Sequence, residues 1–378
     1  MTIYIIAALS FLLHVGFGGG KVTVSLFAID RGASAATIGL MMSLMALLPT
    51  LLAVALGRMT DRIGVRRPAI VGCTGVTVGL LLPTMFPYLS TLFVSVVLLG
   101  LSFTCYQVSI TNLVGALGGV AERTRNYSIL SMGFAGASFL GPLIAGFSID
   151  GIGHRWTFPL LAVWTAAPAI ILLIGKSLLP NIRAKQGEKK HGSILELMRI
   201  PKLRDTFIAG GVLASAWDLY QFLLPIYGHS LGLSASKIGI VLASFAVAIF
   251  VVRAFLPALS QRYGEARLIT AAIFLAGVAF ILLASGQSTW MLTAASVVLG
   301  CGVGCGQPLS LTLIYNLSPP GRQGEATGVR VSMNHMTHIA VPLFFGSMGT
   351  AMGFMPIFLI SAGLMAVCGF VSHRSFMR

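Results

Sequence analysis

Residues 35–57 read AATIGLMMSLMALLPTLLAVALG, and the residues that follow, 58–67, read RMTDRIGVRR. The first stretch has no charged side chain, and its length matches the roughly twenty apolar residues that one bilayer-spanning helix needs. The second stretch is short and rich in arginine. Because the apolar stretch is continuous and does not alternate with polar residues, it predicts a transmembrane helix and not a barrel strand.

The same pattern recurs along the whole chain of 378 residues, of which 56% are hydrophobic and only 9% charged. So few polar residues could not coat a soluble globule of this size. Twelve apolar runs are separated by short charged gaps, and they lie near 3–29, 35–57, 69–86, 88–115, 127–149, 157–178, 206–230, 237–258, 268–286, 290–316, 326–349 and 352–372. We therefore predict an all-α membrane protein with twelve transmembrane helices.

The net charge of +15 raises the question of nucleic-acid binding, but the placement of the basic residues answers it. They concentrate in alternate gaps, above all 58–67, 176–204 and 262–267. This is the positive-inside pattern, and it places both termini in the cytoplasm of a multi-pass protein of the bacterial inner (plasma) membrane. The charge thus reports membrane topology, and nucleic acid is not an expected partner.

An internal repeat relates the two halves of the chain at a constant offset of two hundred residues. The matching positions are Ile38-Gly39 with Ile238-Gly239, Arg62 with Arg262, Gly64 with Gly264, Leu99-Gly100 with Leu299-Gly300, Cys105 with Cys305, Gln107 with Gln307, and Pro142 with Pro342. This regularity predicts a six-helix bundle over 1–178, a polar cytoplasmic linker over 179–205 and a second bundle over 206–378. Parallel halves of this kind place a solute site near the membrane midplane.

The gap after the second run resembles the signature of the major facilitator superfamily. It holds Gly57, then Asp61-Arg62, then Gly64, then Arg66-Arg67, and a degenerate copy, 261–264, reads QRYG. The resemblance implies a secondary transporter that works by alternating access, usually as a monomer. It also implies that the loop locks the cytoplasmic side, with the start of helix eleven, Gly324 to Thr327, as its partner.

Helix five carries Gly136, Gly141-Pro142 and Gly146. These residues resemble the Gly-Pro motif of proton-driven drug antiporters in the same family, which implies export in exchange for protons. Small residues also allow helices to approach closely, so a packing role is an alternative interpretation.

Ionisable side chains inside transmembrane helices are costly and are therefore candidate functional residues. Asp218 is the one acidic residue in the middle of a predicted helix, the seventh, and Lys21 in helix one is the repeat mate of Gln221. We expect Lys21 and Asp218 to pair, and protonation of Asp218 to free Lys21 for an anion. A static pair, or a lysine that snorkels to the interface, is the structural alternative.

Further polar residues could line a central cavity or bond between helices. In helix four these are Tyr106 and Gln107, and in helix ten the repeat mate Gln307. Both interpretations are open for them, because polar bonds between membrane helices are common.

Helix eleven contributes Asn334, His335 and His338, and helix eight contributes Arg253. A histidine titrates near physiological pH and could carry a proton in place of Asp218. Arg253 could contact an anion that enters from the cytoplasm, or it could brace the gate loop.

The leading hypothesis is a secondary transporter that exports a small organic solute in exchange for protons. The alternative is a proton-coupled carrier of organic anions, motivated by Lys21, Arg253 and the two histidines. A membrane-embedded enzyme or sensor is disfavoured because acidic residues are sparse and no histidine-rich cluster appears. Cys301 and Cys305 share a helix face but suit packing better than metal binding. No cofactor is expected, because the chain lacks a phosphate-binding Gly-Lys-Ser/Thr loop and would use an ion gradient in place of ATP.

Overall fold

The computed structural model describes residues 2–117, 120–175, 194–319 and 323–377. Within these ranges the chain is a succession of long helices joined by short turns. The helices are α1 Thr2–Asp30, α2 Ala35–Ile63, α3 Arg66–Met85, α4 Leu89–Ala116, α5 Val120–Ile174, α6 Ile194–Met198, α7 Pro201–Ser230, α8 Ala235–Tyr263, α9 Glu265–Ser285, α10 Thr289–Leu317, α11 Gln323–Met352 and α12 Phe354–Met377.

Ten helices of the described chain are long and apolar enough to cross a membrane. One of them, covering 129–174 in α5, is bent at Gly153 and is long enough for two spans. The remaining long helix, α11, carries too many polar residues to qualify by composition, and it completes the twelve. The prediction of an all-helical membrane protein with twelve spans is confirmed.

The turns display the internal repeat. Six glycines in the described ranges have a positive φ, and they form three pairs offset by two hundred residues: Gly32 and Gly232 (77° and 72°), Gly64 and Gly264 (81° and 78°), and Gly153 and Gly353 (79° and 77°). Only glycine adopts this backbone conformation without a steric penalty. The duplicated unit therefore turns at the same places in both halves, as the sequence predicts.

Close helix contacts are repeated as well. A Cβ on Gly100 would collide with the backbone of Met45, which joins α4 to α2, and a Cβ on Gly300 would lie 2.6 Å from the Phe245 carbonyl oxygen, which joins α10 to α8. Met45 and Phe245 are themselves offset by two hundred. The repeat thus preserves residue-to-residue contacts, and each contact needs a glycine.

The chain divides into two compact units. The first consists of described residues within Met1–Gln186 and Gly228–Ala243. In it α1 packs on α5, α3 on α4 and α5, and α2 on α4. Gly141 of α5 lies so close to α1 that a Cβ would be 2.8 Å from the Val15 oxygen, and Gly146 lies directly against the backbone of Ala235 at the start of α8. Gly136 faces Phe11 of α1, and Pro142 faces Gly239 of α8. The helix-five motif is thus a close-packing surface.

The second unit consists of described residues within Gly187–Tyr227 and Ser244–Arg378. In it α9 packs on α10 and α12. A buried cluster at one end joins α6 and α7 to α10 and α11, and it contains Leu197, Leu203, Phe207, Ile314 and Ala326.

This cluster corrects the predicted linker. Residues 179–193 lie outside the described ranges, but 194–205 include α6 and the first residues of α7, which begins at Pro201 and not at 206. Proline at the first helical position has the φ that a helix needs, and Leu203 is fully buried, so the helix starts earlier than hydropathy alone suggests.

The predicted gate loop is also shorter than expected. Because α2 continues to Ile63, Gly57 and Asp61-Arg62 belong to the helix, and the turn is made at Gly64. The side chains of Asp61 and Arg62, and most of the predicted partner segment Gly324 to Thr327, lie outside the described residues. The contact between them stays a prediction.

Arg66 has a defined place within the first unit. Its guanidinium donates hydrogen bonds to the carbonyl oxygens of Leu172 (2.7 Å) and Leu173 (3.1 Å) at the end of α5, whereas Arg67 is exposed. The last carbonyls of a helix lack intrahelical partners, and a cation near them is stabilising. Arg66 therefore caps α5.

A carboxylate of α5 caps the N-terminal end of α8. The Asp150 carboxylate accepts hydrogen bonds from the backbone N–H groups of Ala235 (3.0 Å) and Ser236 (2.9 Å), the first two residues of α8. A carboxylate at this position satisfies orphan donors and complements the positive end of the helix dipole.

We predict that Asp150→Ala lowers the free energy of unfolding by about 0.5–2 kcal/mol, the usual cost of losing such a cap, and that Asp150→Asn costs less. Thermal unfolding of the detergent-solubilised protein measures the effect. Asp30→Ala is the matched control, because Asp30 is exposed and lies 4.0 Å from Arg31, a surface pair of little worth. Equal melting temperatures for Asp150→Ala and this control would contradict the cap.

A second prediction concerns the two repeated glycine contacts. Gly to Ala inside a helix ordinarily stabilises by about 1 kcal/mol, but Gly100→Ala and Gly300→Ala should lower the melting temperature because the added methyl group displaces a neighbouring helix. Gly363→Ala in α12 is the control, since a Cβ there meets no atom within 4 Å. Equal melting temperatures for all three variants would show that these two contacts do not stabilise the packing of the helices.

Candidate functional site

A cavity of about 170 Å3 lies within the second unit, among α7, α8, α10 and α11. Five of its lining side chains are charged or carry an amide: Asp218, Arg253, Gln307, Arg330 and Asn334, with the His338 imidazole as a sixth polar group. The remaining lining residues are Gly210, Leu213, Ala214, Trp217 and Val303. Five of the predicted site residues thus meet in one place: Asp218, Arg253, Gln307, Asn334 and His338.

Asp218 and His338 form the ionisable centre of the cavity. The His338 Nδ1 atom lies 2.7 Å from the Asp218 Oδ1 atom, and the side chain of Asp218 is 8% exposed while that of His338 is 49% exposed. This distance fits a hydrogen bond from an Nδ1–H group to the carboxylate, which leaves Nε2 as the ring nitrogen outside this contact.

Thr337 contacts the other carboxylate oxygen. Its hydroxyl lies 2.8 Å from Asp218 Oδ2 and also 2.8 Å from the carbonyl oxygen of Asn334. A hydroxyl has one proton, so it can donate to only one of these acceptors at a time. Donation to Asp218 stabilises the ionised carboxylate, and donation to Asn334 leaves that oxygen available. The carboxylate of α7 is therefore held by two consecutive residues of α11.

Arg253 fixes its guanidinium on α10. Its Nε atom donates to the Gly304 carbonyl oxygen (3.1 Å), and its Nη2 atom donates to the Gln307 Oε1 atom (3.1 Å). Both acceptors are neutral, so the positive charge of Arg253 is positioned but not neutralised by them.

Arg330 lies in α11 and is 7% exposed. Its Nε atom donates to the Ser310 hydroxyl oxygen at 3.0 Å, and that hydroxyl in turn donates to the Gln307 carbonyl oxygen. Arg330 and Arg253 are thus both anchored to α10, and in both cases the acceptor is a neutral group.

The repeat shows that the helix scaffold does not require these charges. Two hundred residues earlier, the equivalents of Asp218, Arg253, Arg330, Asn334 and His338 are Gly18, Ala53, Leu130, Phe134 and Ser138. The same helix positions therefore fold with apolar or small residues. A charged set that only one copy of a duplicated scaffold carries is evidence of function, because unpaired polar groups inside a bundle are otherwise avoided.

The first unit has aromatic side chains at the repeat mates of four residues that line the cavity, Ala214, Trp217, Val303 and Asn334. The Phe17 and Phe103 rings stack with centroids 3.8 Å apart, and His14 stacks on Phe134 at 4.1 Å. All four rings are half-buried, so part of each remains accessible. Accessible aromatic faces can bind apolar or planar parts of a solute.

The other predicted residues are not among those that line the charged cavity. Tyr106 is fully buried in the first unit, where its hydroxyl shares a hydrogen bond of 3.0 Å with Ser10 of α1, so it is a packing residue and not a cavity-lining one. Gln107 has a buried Oε1 atom without a hydrogen-bond partner among the described residues. Its repeat mate Gln307 receives that bond from Arg253, for which the first half has Ala53.

His335 is half-buried, and its ring centroid lies 6.4 Å from that of His338 without lining the cavity. Gln221 is half-buried one turn beyond Asp218 and also lies outside the lining set. Lys21 is half-buried in α1, in the first unit. Its pairing with Asp218 stays a prediction, and within the second unit Asp218 bonds to His338 and Thr337.

Sequence reasoning missed Arg330 and Thr337 as members of the site. For Arg330 a signal was present, since a charged residue inside a membrane helix is a candidate by default. Arg330, Asn334 and His338 are spaced by four residues, which puts them on one face of α11. Thr337 gave no such signal, because its contact depends on how α7 packs against α11.

Comparison with known proteins gives a consistent picture. The sequence profile described as Major Facilitator Superfamily matches residues 6–214 and 206–375. The chain is 26% identical over 328 residues to "Tetracycline resistance protein, class G" of Vibrio anguillarum, covering 83% of this chain and 80% of the relative.

It is 25% identical over 256 residues to "Multidrug resistance protein MdtG" of Dickeya zeae, covering 66% of this chain and 62% of the relative. Among solved structures it resembles the nucleoside transporter NupG with a TM-score of 0.78 at 17% identity, over the full length of both chains. That likeness shows the same fold.

The placement of Tyr106 generates a prediction that separates packing from solute binding. Tyr106→Phe removes one buried hydrogen bond and should lower the free energy of unfolding by about 1 kcal/mol, while the apparent KM for any transported solute stays unchanged. Thermal unfolding and transport assays on the same preparation measure the two effects. Ser10→Ala should have the same two effects, since it removes the other partner of the same hydrogen bond. A raised KM in Tyr106→Phe alone would return Tyr106 to the binding residues.

Proposed function

This chain belongs to the Major Facilitator Superfamily, and from this premise we propose that it exports a small organic solute in exchange for protons, with Asp218 and His338 carrying the exchanged proton. Its multi-pass helical architecture and the names of its relatives support a transporter. The observation that carries the residue assignment is the 2.7 Å contact between His338 and Asp218 on the wall of a polar cavity.

The arrangement can move a proton in two steps. A proton from the cavity binds the Nε2 atom of His338, whose side chain is half-exposed, and the Nδ1 proton then passes along the short hydrogen bond to Asp218. The result is a neutral carboxylic acid and a neutral imidazole whose Nδ1 atom now accepts. Thr337 assists by turning its hydroxyl toward Asn334 when the carboxylate no longer needs a donor.

Exchange follows if solute and proton compete for the same group. A positively charged part of a solute binds better when Asp218 is ionised and worse when it is protonated, and thermodynamic linkage requires the proton to bind worse when the solute is present. Mutual exclusion at Asp218 is the condition for antiport, since each occupant leaves before the other enters.

Outward transport is supported by the relatives, whose names refer to resistance. A membrane transporter confers resistance when it lowers the amount of a compound inside the cell. The Gly-Pro segment of α5 supports the same assignment through its resemblance to the motif of proton-driven drug antiporters.

We further propose that both termini lie in the cytoplasm of a bacterial inner membrane and that the chain works as a monomer. The distribution of arginine and lysine among the gaps supports the orientation. No enzymatic step and no nucleotide are part of the proposal, because a proton gradient supplies the energy for exchange.

A specific observation keeps the organic-anion carrier as a second candidate. Arg253 and Arg330 line the cavity that holds Asp218, and an anion bound to them would be favoured by protonation of Asp218. Solute and proton would then bind together and move in the same direction. The sign of the coupling therefore distinguishes the two candidates.

We predict that liposomes carrying the purified protein and an internal pH-sensitive dye show a solute-triggered proton flux opposite in direction to solute movement. Asp218→Asn and His338→Gln should reduce this flux to the level of empty liposomes, because neither side chain can then hold the exchanged proton. Norfloxacin and tetracycline are the first solutes to add.

Asp205→Asn is the matched control. Asp205 lies on the same helix, is also 8% exposed and bonds to Arg204 and Ser375, so its loss tests the cost of removing a buried carboxylate without touching the cavity. A full proton flux in Asp218→Asn would contradict the assignment. A flux in the same direction as the solute would favour the anion carrier.

A further inference from the structure

The charged cavity holds two guanidinium groups but one carboxylate. We propose that Arg253 and Arg330 form a subsite for the carboxylate group of a zwitterionic solute, whose amine competes with the proton at Asp218. This inference rests on the proposed function, and it names the chemical class of the solute that the same cavity binds.

The first step is the charge of the cavity. Among the described residues, no carboxylate forms an ion pair with Arg253 or Arg330, and their acceptors are the neutral oxygens of Gly304, Gln307 and Ser310. Asp218 is held by His338 and Thr337. A guanidinium remains protonated in proteins, and a buried charge without a counter-ion is costly. The two arginines therefore favour an anion from outside the protein.

The second step is the orientation of the two groups. Each arginine is anchored through its Nε atom to α10, which fixes the plane of its guanidinium. The Nη1 group of Arg253 and both Nη groups of Arg330 have no hydrogen bond to a described residue. Terminal N–H donors of a fixed guanidinium match the two oxygens of a carboxylate. Little rotamer freedom is lost on binding, which favours affinity.

The third step is the rest of the lining. The Gln307 and Asn334 amides add neutral donors, and Trp217 adds a half-buried aromatic ring. Within a cavity of about 170 Å3, the part beside Arg253 and Arg330 accommodates a carboxylate and the atoms next to it. The subsite thus recognises one end of the solute.

The fourth step selects a zwitterion over a simple anion. An anion alone would bind more tightly when Asp218 is protonated, which gives co-transport. A solute that also carries an amine can place that amine at Asp218, where it excludes the proton and gives exchange. Both charges of such a solute find the opposite charge on the wall of one cavity.

The test uses norfloxacin, which carries a carboxylate and a piperazine amine, and its methyl ester, which keeps the amine and the rings but loses the anion. Transport of each compound is measured in proteoliposomes for the wild type, Arg253→Gln, Arg330→Gln and the two corresponding lysine variants. Arg374→Gln in α12 is the control, because that exposed arginine lies over Phe370 outside the cavity.

Each glutamine variant should raise the apparent KM for norfloxacin by about tenfold or more, the effect of losing one hydrogen bond between charged groups, and should not raise the apparent KM for the ester. The lysine variants should raise the apparent KM for norfloxacin less than the glutamine variants do, since lysine restores the positive charge but not the planar guanidinium group. Ester transport that persists in the glutamine variants also shows that they are folded.

Equal KM values for acid and ester in the wild type, or equal losses for both compounds in the variants, would overturn the subsite while leaving proton-coupled export intact. Absence of solute-linked proton movement across a panel of matched acids, esters and amides would overturn the proposed function itself, and the subsite with it. The two failures are therefore distinguishable.

Discussion

The low dielectric of the bilayer governs the placement of charge in this protein. An ionised side chain within a membrane helix has no water to solvate it, so it must find a partner in the protein or in a bound ligand. Asp218 meets this requirement through His338 and Thr337, which belong to a different helix. The requirement also makes the site responsive, because protonation of Asp218 removes its charge and reverses the direction of its hydrogen bond with His338. A carboxylate that keeps its hydrogen-bond partner in both protonation states but changes its charge is suited to coupling.

The duplicated scaffold shows which residues serve the fold and which serve the site. Turn glycines and close-contact glycines such as Gly100 and Gly300 recur in both halves with the same partners. The charged residues do not recur: the first half has Gly18 where the second has Asp218, and Ala53 where the second has Arg253. Gln107 marks the difference, because its buried oxygen lacks the donor that Arg253 gives to Gln307.

Hydropathy and the repeat were sufficient to predict the fold, because membrane spans are long, apolar and separated by charged gaps. The ends of the helices were less predictable: α2 continues to Ile63 and α7 starts at Pro201, since polar and amphipathic residues extend helices beyond the apolar core. Of the candidate site, Asp218, Arg253, Gln307, Asn334 and His338 were predicted from polarity and depth. Their contacts were not, because the rotation of each helix about its axis is set by packing. Tyr106 illustrates the limit of predicting cavity residues from polarity and depth, since it lies at the expected depth but is buried against Ser10.

The central claim is that solute and proton exclude each other at Asp218. Its most direct test starts from the purified protein with the exchanged proton bound, in detergent and weakly buffered solution, and measures proton release when a saturating solute is added. The account predicts release from the wild type and none from Asp218→Asn, with normal release from Asp205→Asn. Proton uptake on solute binding, or undiminished release from Asp218→Asn, would contradict it.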